Sequence, residues 1–128
     1  LISEDDISGM LCLPGDVVLC PGRGGGTNMI LIRSPEFRTC YTGLSYPKHL
    51  DFARQAGLNA SIYESFRAGC DIDEPEDLAE VLLHGRGEAK ALLTELGFSL
   101  REKRRDSAEK GPLIRHFAPS DSRAHRRS

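Results

Sequence analysis

The chain has 128 residues, of which 39% are apolar, and a formal charge of −2, which suits one domain of ordinary size with a modest core. No apolar run approaches the ~20 residues that a membrane-spanning helix needs, and the opening LISEDDIS is not a secretory leader. The four cysteines, Cys12, Cys20, Cys40 and Cys70, form no CxxC pair, which argues against a zinc site or a redox dithiol.

The chain opens without a Met, and Leu1-Ile2 runs directly into Ser3-Glu4-Asp5-Asp6. An apolar pair just ahead of a helix cap often ends a buried strand, so the start reads as the tail of a strand whose body is missing. Ser3 with Asp6 has the pattern of a helix start, and Asp5–Leu11 is predicted as a short helix. Asp16–Cys20, β-branched and continuously apolar, is predicted as a strand covered on both faces. Pro21–Gly26 is a loop and Thr27–Arg33 a second strand; Phe37–Thr42 is predicted as a third. Tyr46–Ala56 reads as a helix stopped by Gly57, with Leu50, Phe52 and Ala53 on its inner side. Leu58–Phe66 reads as a strand followed by one helical turn. Pro75–His84 is predicted as a helix on Leu78, Val81 and Leu82. A further helix follows over Glu88–Leu96, with Leu92, Leu93 and Leu96 inside.

Strands separated by helices predict an α/β domain with a mixed, mainly parallel sheet over residues 1–100. Ligands of such sheets collect at the carboxyl ends of the strands. Residues 101–128 hold nine Lys or Arg against four Asp or Glu and read as a basic, disordered tail. The other hundred residues carry eight basic and fifteen acidic side chains, so nucleic acid is not the expected partner. Each cysteine lies in or beside an apolar stretch, as buried thiols in a reducing cytoplasm would.

Three stretches can carry chemistry. In PGRGGGTN (Pro21–Asn28) successive glycines let the backbone approach an anion, while Arg23 and Thr27 offer a guanidinium and a hydroxyl; a plain turn between two strands has the same composition. The stretch lacks the Gly-Lys-Ser/Thr of a phosphate-binding Walker loop. In YTGLSYPKH (Tyr41–His49), Ser45 is placed to cap the next helix, where anions are favoured. Lys48 and His49 could reach a phosphate, although a surface position for both is the first expectation. In CDIDEPEDL (Cys70–Leu78), Asp71 and Asp73 share one side of an extended segment and can hold a hard cation. A capping box of Asp73 with Glu76, Pro75 in the first turn, and acids at the positive helix end explain the other acids without a metal. They do not explain Asp71.

Taken in this order, PGRGGGTN, GLSYPKH and AGCDIDEPEDLAEVL, followed by HGRGEAKALL, resemble the 2-phospho-L-lactate guanylyltransferase family of coenzyme F-420 biosynthesis, over about Leu1–Phe98. The resemblance implies a Rossmann-like nucleotidyltransferase fold in which GTP reacts with 2-phospho-L-lactate, or phosphoenolpyruvate, releasing pyrophosphate. It assigns Thr27, Gly43 and Ser45 to acceptor binding and Asp71 and Asp73 to Mg²⁺. Family members begin with a nucleotide-binding part, and with an Asp-Leu-Pro-Leu segment, that have no counterpart here. The chain therefore reads as a carboxyl-terminal portion, inactive by itself, whose bare sheet edge could support a homodimer. Two other readings stand beside this one. The first is a nucleotidyltransferase for a sugar phosphate or molybdopterin. The second is a non-catalytic remnant or binding module whose carboxylates only cap a helix.

Overall fold

A computed structural model describes residues 1–100 and the backbone of a short strand at Ile114–His116. That strand aside, the tail expected over 101–128 lies outside the described residues. The chain divides into two compact units, Leu1–Asp71 and Ile72 onward.

In the first unit, α1 (Glu4–Cys12) leads to β1 (Val17–Pro21), β2 (Thr27–Ile32), α2 (Ser45–Gln55) and β3 (Ala60–Ile62). The strands form one sheet in the order β2-β1-β3. Val17, Val18, Leu19 and Cys20 of the central strand are wholly buried, as a continuous apolar run predicts. Their side chains alternate between two cores. Val18 and Cys20 pack with Met10 of α1 and with Ala68, whereas Val17 and Leu19 pack with Phe37 and with Ala53 of α2. Helices thus cover both faces of the sheet, and each of the buried Val17, Val18 and Leu19 side chains contributes about 1.5–3 kcal/mol.

The sheet is mixed, but parallel pairing does not predominate. β1 pairs with β2 antiparallel, Val17 opposite Ile32 and Cys20 opposite Met29, and with β3 parallel, Val17 opposite Ala60. The segment between β1 and β2 is too short for a crossover, so the chain must double back. The register slips between Cys20 and Pro21, where the chain leaves the ladder for the glycine loop.

Phe37–Thr42, expected as a strand, is irregular. Its Phe37 is nonetheless buried and meets Phe52 edge-on, with ring centroids 5.4 Å apart. That apolar residue marks a packed loop. Gly57 ends α2 as expected, at φ +69°. Leu58–Phe66 contributes only the short β3, and a turn rather than a helix follows.

Asp6 anchors the start of α1. Its carboxylate accepts hydrogen bonds from the Ser3 backbone N–H at 2.9 Å and the Ser3 hydroxyl at 3.1 Å. It also accepts from the Tyr63 hydroxyl at 3.2 Å and the Ser65 hydroxyl at 2.5 Å, which ties α1 to the segment leaving β3. These bonds, led by the one from Ser65, hold the carboxyl below its ordinary pKa.

The second unit holds a 3₁₀ turn at Pro75–Asp77, α3 (Leu78–His84), α4 (Glu88–Glu95) and an antiparallel pair of β4 (Phe98–Leu100) with β5 (Ile114–His116). The predicted helix over Pro75–His84 therefore opens as a tighter turn. Its capping box forms one residue later than expected: the Glu74 N–H donates to Asp77 Oδ2 at 2.9 Å, in place of an Asp73–Glu76 pair. Leu92 and Leu96, expected inside, are exposed. Of the four free cysteines, only Cys20 and Cys70 are buried; Cys12 and Cys40 are exposed. Among the described residues no helix is long and apolar enough to cross a membrane.

Candidate functional site

The site is built on the loop between β1 and β2. The Gly22 N–H donates to the Gly26 carbonyl at 2.8 Å, and the Gly25 N–H to the Gly22 carbonyl at 3.3 Å, so the loop closes on itself. Gly25 lies at φ +83°, in the left-handed region that glycine enters without steric cost. Gly22 is required for space instead. A Cβ there would stand 2.2 Å from Asn28 Oδ1 and 3.0 Å from Asp71 Oδ2. The loop is tied to the segment leading to Asp71 by two further bonds. The Arg23 N–H donates to the Gly69 carbonyl at 3.2 Å, and the Asn28 side-chain amide to the Ala68 carbonyl at 3.0 Å. The Arg23 guanidinium lies over the Phe66 ring, 4.9 Å from its centroid. One end of the glycine loop therefore lies against Asp71.

The other end meets α2. The Tyr46 N–H donates to the Gly25 carbonyl at 3.1 Å, and the Thr27 N–H to Ser45 Oγ at 3.0 Å. Ser45 was expected to cap the helix; it is instead the first helical residue and its hydroxyl bonds across to β2. His49, one turn on and on the same face of α2, brings Nδ1 to 2.8 Å from Thr27 Oγ1. Its Nε2 accepts the Cys40 backbone N–H at 2.9 Å. Ser45 and His49 are buried, His49 completely, which corrects the expectation of a surface histidine. Burial also pushes the His49 pKa down. Phe37 and Tyr41 flank its ring, with centroids at 5.8 and 5.1 Å. Lys48, by contrast, stays on the surface and folds back onto Thr42, its ammonium donating to the Thr42 carbonyl and, at 3.2 Å, to Oγ1. Gly43 beside it sits at φ +64°.

The fold thus brings Thr27 and Ser45 into direct contact and sets Asp71 at the far end of the same loop. Asp73 belongs to the second unit, where its N–H donates to Asp77 Oδ2 at 3.1 Å. Among the described residues no cluster of three His, Cys, Asp or Glu side chains is placed to hold a metal.

The sequence has relatives. The family described as guanylyl transferase, CofC-like, matches residues 1–112. The chain belongs to that family. A 2-phospho-L-lactate guanylyltransferase of Methanothrix thermoacetophila is 57% identical over 102 residues, 80% of this chain and 46% of that protein. One from Ferroglobus placidus is 45% identical over 116 residues, 90% of this chain and 56% of its own length. One from Methanocella arvoryzae is 43% identical over 97 residues, 75% of this chain and 44% of its own. The chain therefore spans about half the length of the curated relatives it matches. In this CofC-like chain, the residue that sequence reasoning undervalued is His49. Its four-residue offset from Ser45 was visible, but its second partner, a backbone N–H of an irregular loop, leaves no trace in residue types.

Proposed function

We propose that this chain supplies the acceptor-binding part of a guanylyltransferase that joins GTP to 2-phospho-L-lactate, or to phosphoenolpyruvate, in coenzyme F-420 biosynthesis. The nucleotidyltransferase reading of the fold, Rossmann-like in kind, is part of the same proposal. The observation that carries it is the direct linkage of Thr27 to Ser45 at one end of a glycine loop whose other end lies against Asp71.

The acceptor is a small acid bearing one carboxylate and one phosphate. Thr27 and Ser45 offer hydroxyls, and the turn at Gly43 offers backbone, to hold those two anionic groups. A phosphate oxygen of the acceptor would attack the α-phosphorus of GTP as the bond to the β-phosphate breaks and pyrophosphate leaves. For such displacements, positioning of the reactants matters more than covalent help from the protein. Asp71 would hold Mg²⁺: one or two carboxylates, with substrate phosphates completing the shell, is the donor set this ion takes. When bound, the ion supplies positive charge that offsets the phosphate charges.

Calorimetric titration of the chain with 2-phospho-L-lactate in the presence of Mg²⁺ tests the reading. Saturable binding is expected, weakened roughly tenfold or more in Thr27→Ala through loss of a hydrogen bond to a charged group. Asp71→Asn is expected to abolish the dependence on Mg²⁺. Unaltered phospholactate binding by Thr27→Ala would transfer the chain to a different acceptor, and indifference of the chain to Mg²⁺ would leave a binding module.

A further inference from the structure

We infer that His49 is a positioning residue, a neutral imidazole held as its Nδ1–H tautomer, which fixes the Thr27 hydroxyl as a hydrogen-bond donor toward the bound anion. The inference rests on the reading of Thr27 as an anion-binding residue.

The donors and acceptors around the His49 ring fix its tautomer. The Cys40 backbone N–H can only donate, and it points at His49 Nε2 from 2.9 Å. Nε2 must therefore carry a lone pair. A neutral imidazole with a bare Nε2 has its proton on Nδ1. Nδ1–H then donates to Thr27 Oγ1, 2.8 Å away. The Thr27 oxygen accepts that bond, so its own proton cannot point back at the ring. The Ser45 hydroxyl, 3.5 Å from the same oxygen, is also placed as a donor to it. With two donors on its inner side, the Thr27 hydroxyl presents its proton elsewhere. A threonine left to rotate freely would face an anion with either its proton or its lone pairs; this one is held to the first. Orienting such a dipole before the ligand arrives removes an ordering cost from binding.

A doubly protonated ring would set Nε2–H against the Cys40 N–H, two donors face to face. The site surrounds the ring with Phe37, Tyr41 and complete burial, which favours the uncharged form.

Two substitutions separate positioning from mere support. In His49→Asn the amide nitrogen can take the place of Nδ1 and keep the bond to Thr27, while the bond to Cys40 is lost. In His49→Gln the amide oxygen can take the place of Nε2 and keep the bond to Cys40, while Thr27 is released. Each loses one of the two bonds, so their melting temperatures should fall by similar amounts. Phospholactate binding should not: Gln is expected to weaken it roughly tenfold or more and Asn by less. Two-bond ¹H–¹⁵N correlation spectra of the histidine rings supply a readout independent of any ligand. The signal that disappears in both variants should carry its proton on Nδ1 at neutral pH. A proton on Nε2, averaging between tautomers, or binding that tracks stability alike in both variants would overturn the inference. If the parent chain shows the Nδ1–H signal yet binds neither phospholactate nor phosphoenolpyruvate, the hydroxyl lock stands and the functional reading above falls.

Discussion

Cys20 and Cys40 show how far a residue's surroundings set its chemistry. Cys40 is exposed, and its sulfur lies 3.3 Å from the Thr42 hydroxyl. That hydrogen bond, with Lys48 nearby, lowers its thiol pKa. Cys20 is wholly buried in β1, and burial, aided by the negative charges of Asp6 and Asp71, pushes its thiol up. Only the thiolate is nucleophilic. Iodoacetamide at neutral pH should therefore modify Cys40 well before Cys20 in the native chain, a difference that peptide mass spectrometry after brief labelling would show. Equal rates would mean that β1 is not the closed centre of the sheet. Cys40 also belongs to the segment whose backbone holds His49, so its labelling rate reports on the order of that loop.

The glycine loop joining β1 to β2 is the element on which the site depends, and its glycines are not equivalent. Gly22 leaves no room for a methyl group, because Asn28 and Asp71 press against it, whereas a Cβ at Gly24 would meet nothing within 4 Å. Gly22→Ala should destabilise the chain by about 1–3 kcal/mol, as overpacking does. Gly24→Ala should stay within about 0.5 kcal/mol. Urea unfolding midpoints of the two variants would measure the difference, and matching midpoints would show that the loop does not close on Asn28 and Asp71. Three consecutive glycines, Gly24 to Gly26, are the anion-binding feature that the sequence suggests, yet the tightest packing in the loop is at Gly22, which precedes them.

At the scale of the whole molecule, two of the buried groups among the described residues, His49 and Asp6, bias the pH response in the same direction. The folded state lowers the pKa of His49, because burial disfavours the charged ring, and that of Asp6, because four donors favour its carboxylate. In both cases the unfolded chain binds its proton at a higher pH than the folded one. The stability each contributes is present above its unfolded pKa and is lost as pH falls toward the folded one. The His49 contribution should begin to fall below about pH 6.5 and the Asp6 contribution below about pH 3.9. Thermal melts between pH 8 and pH 3 should show stability declining in two stages on acidification, with the first stage absent in His49→Asn. A melting temperature that rises on acidification from pH 7 to pH 5.5 would contradict the burial of an uncharged His49.

What residue types and spacing determined by themselves was local. The unbroken apolar run Val17–Cys20 reads as a doubly covered strand, Gly57 stops a helix, and the three motif stretches, in order, carry the family resemblance that the match over residues 1–112 bears out. Tertiary structure alone decided the irregular but packed course of Phe37–Thr42, the diversion of Ser45 from cap to cross-link, and the burial of His49. The physical reason is common to all three. Periodicity records which side chains are apolar, whereas these outcomes depend on where backbone donors and acceptors from distant segments find partners, and every residue except proline carries the same donor and acceptor.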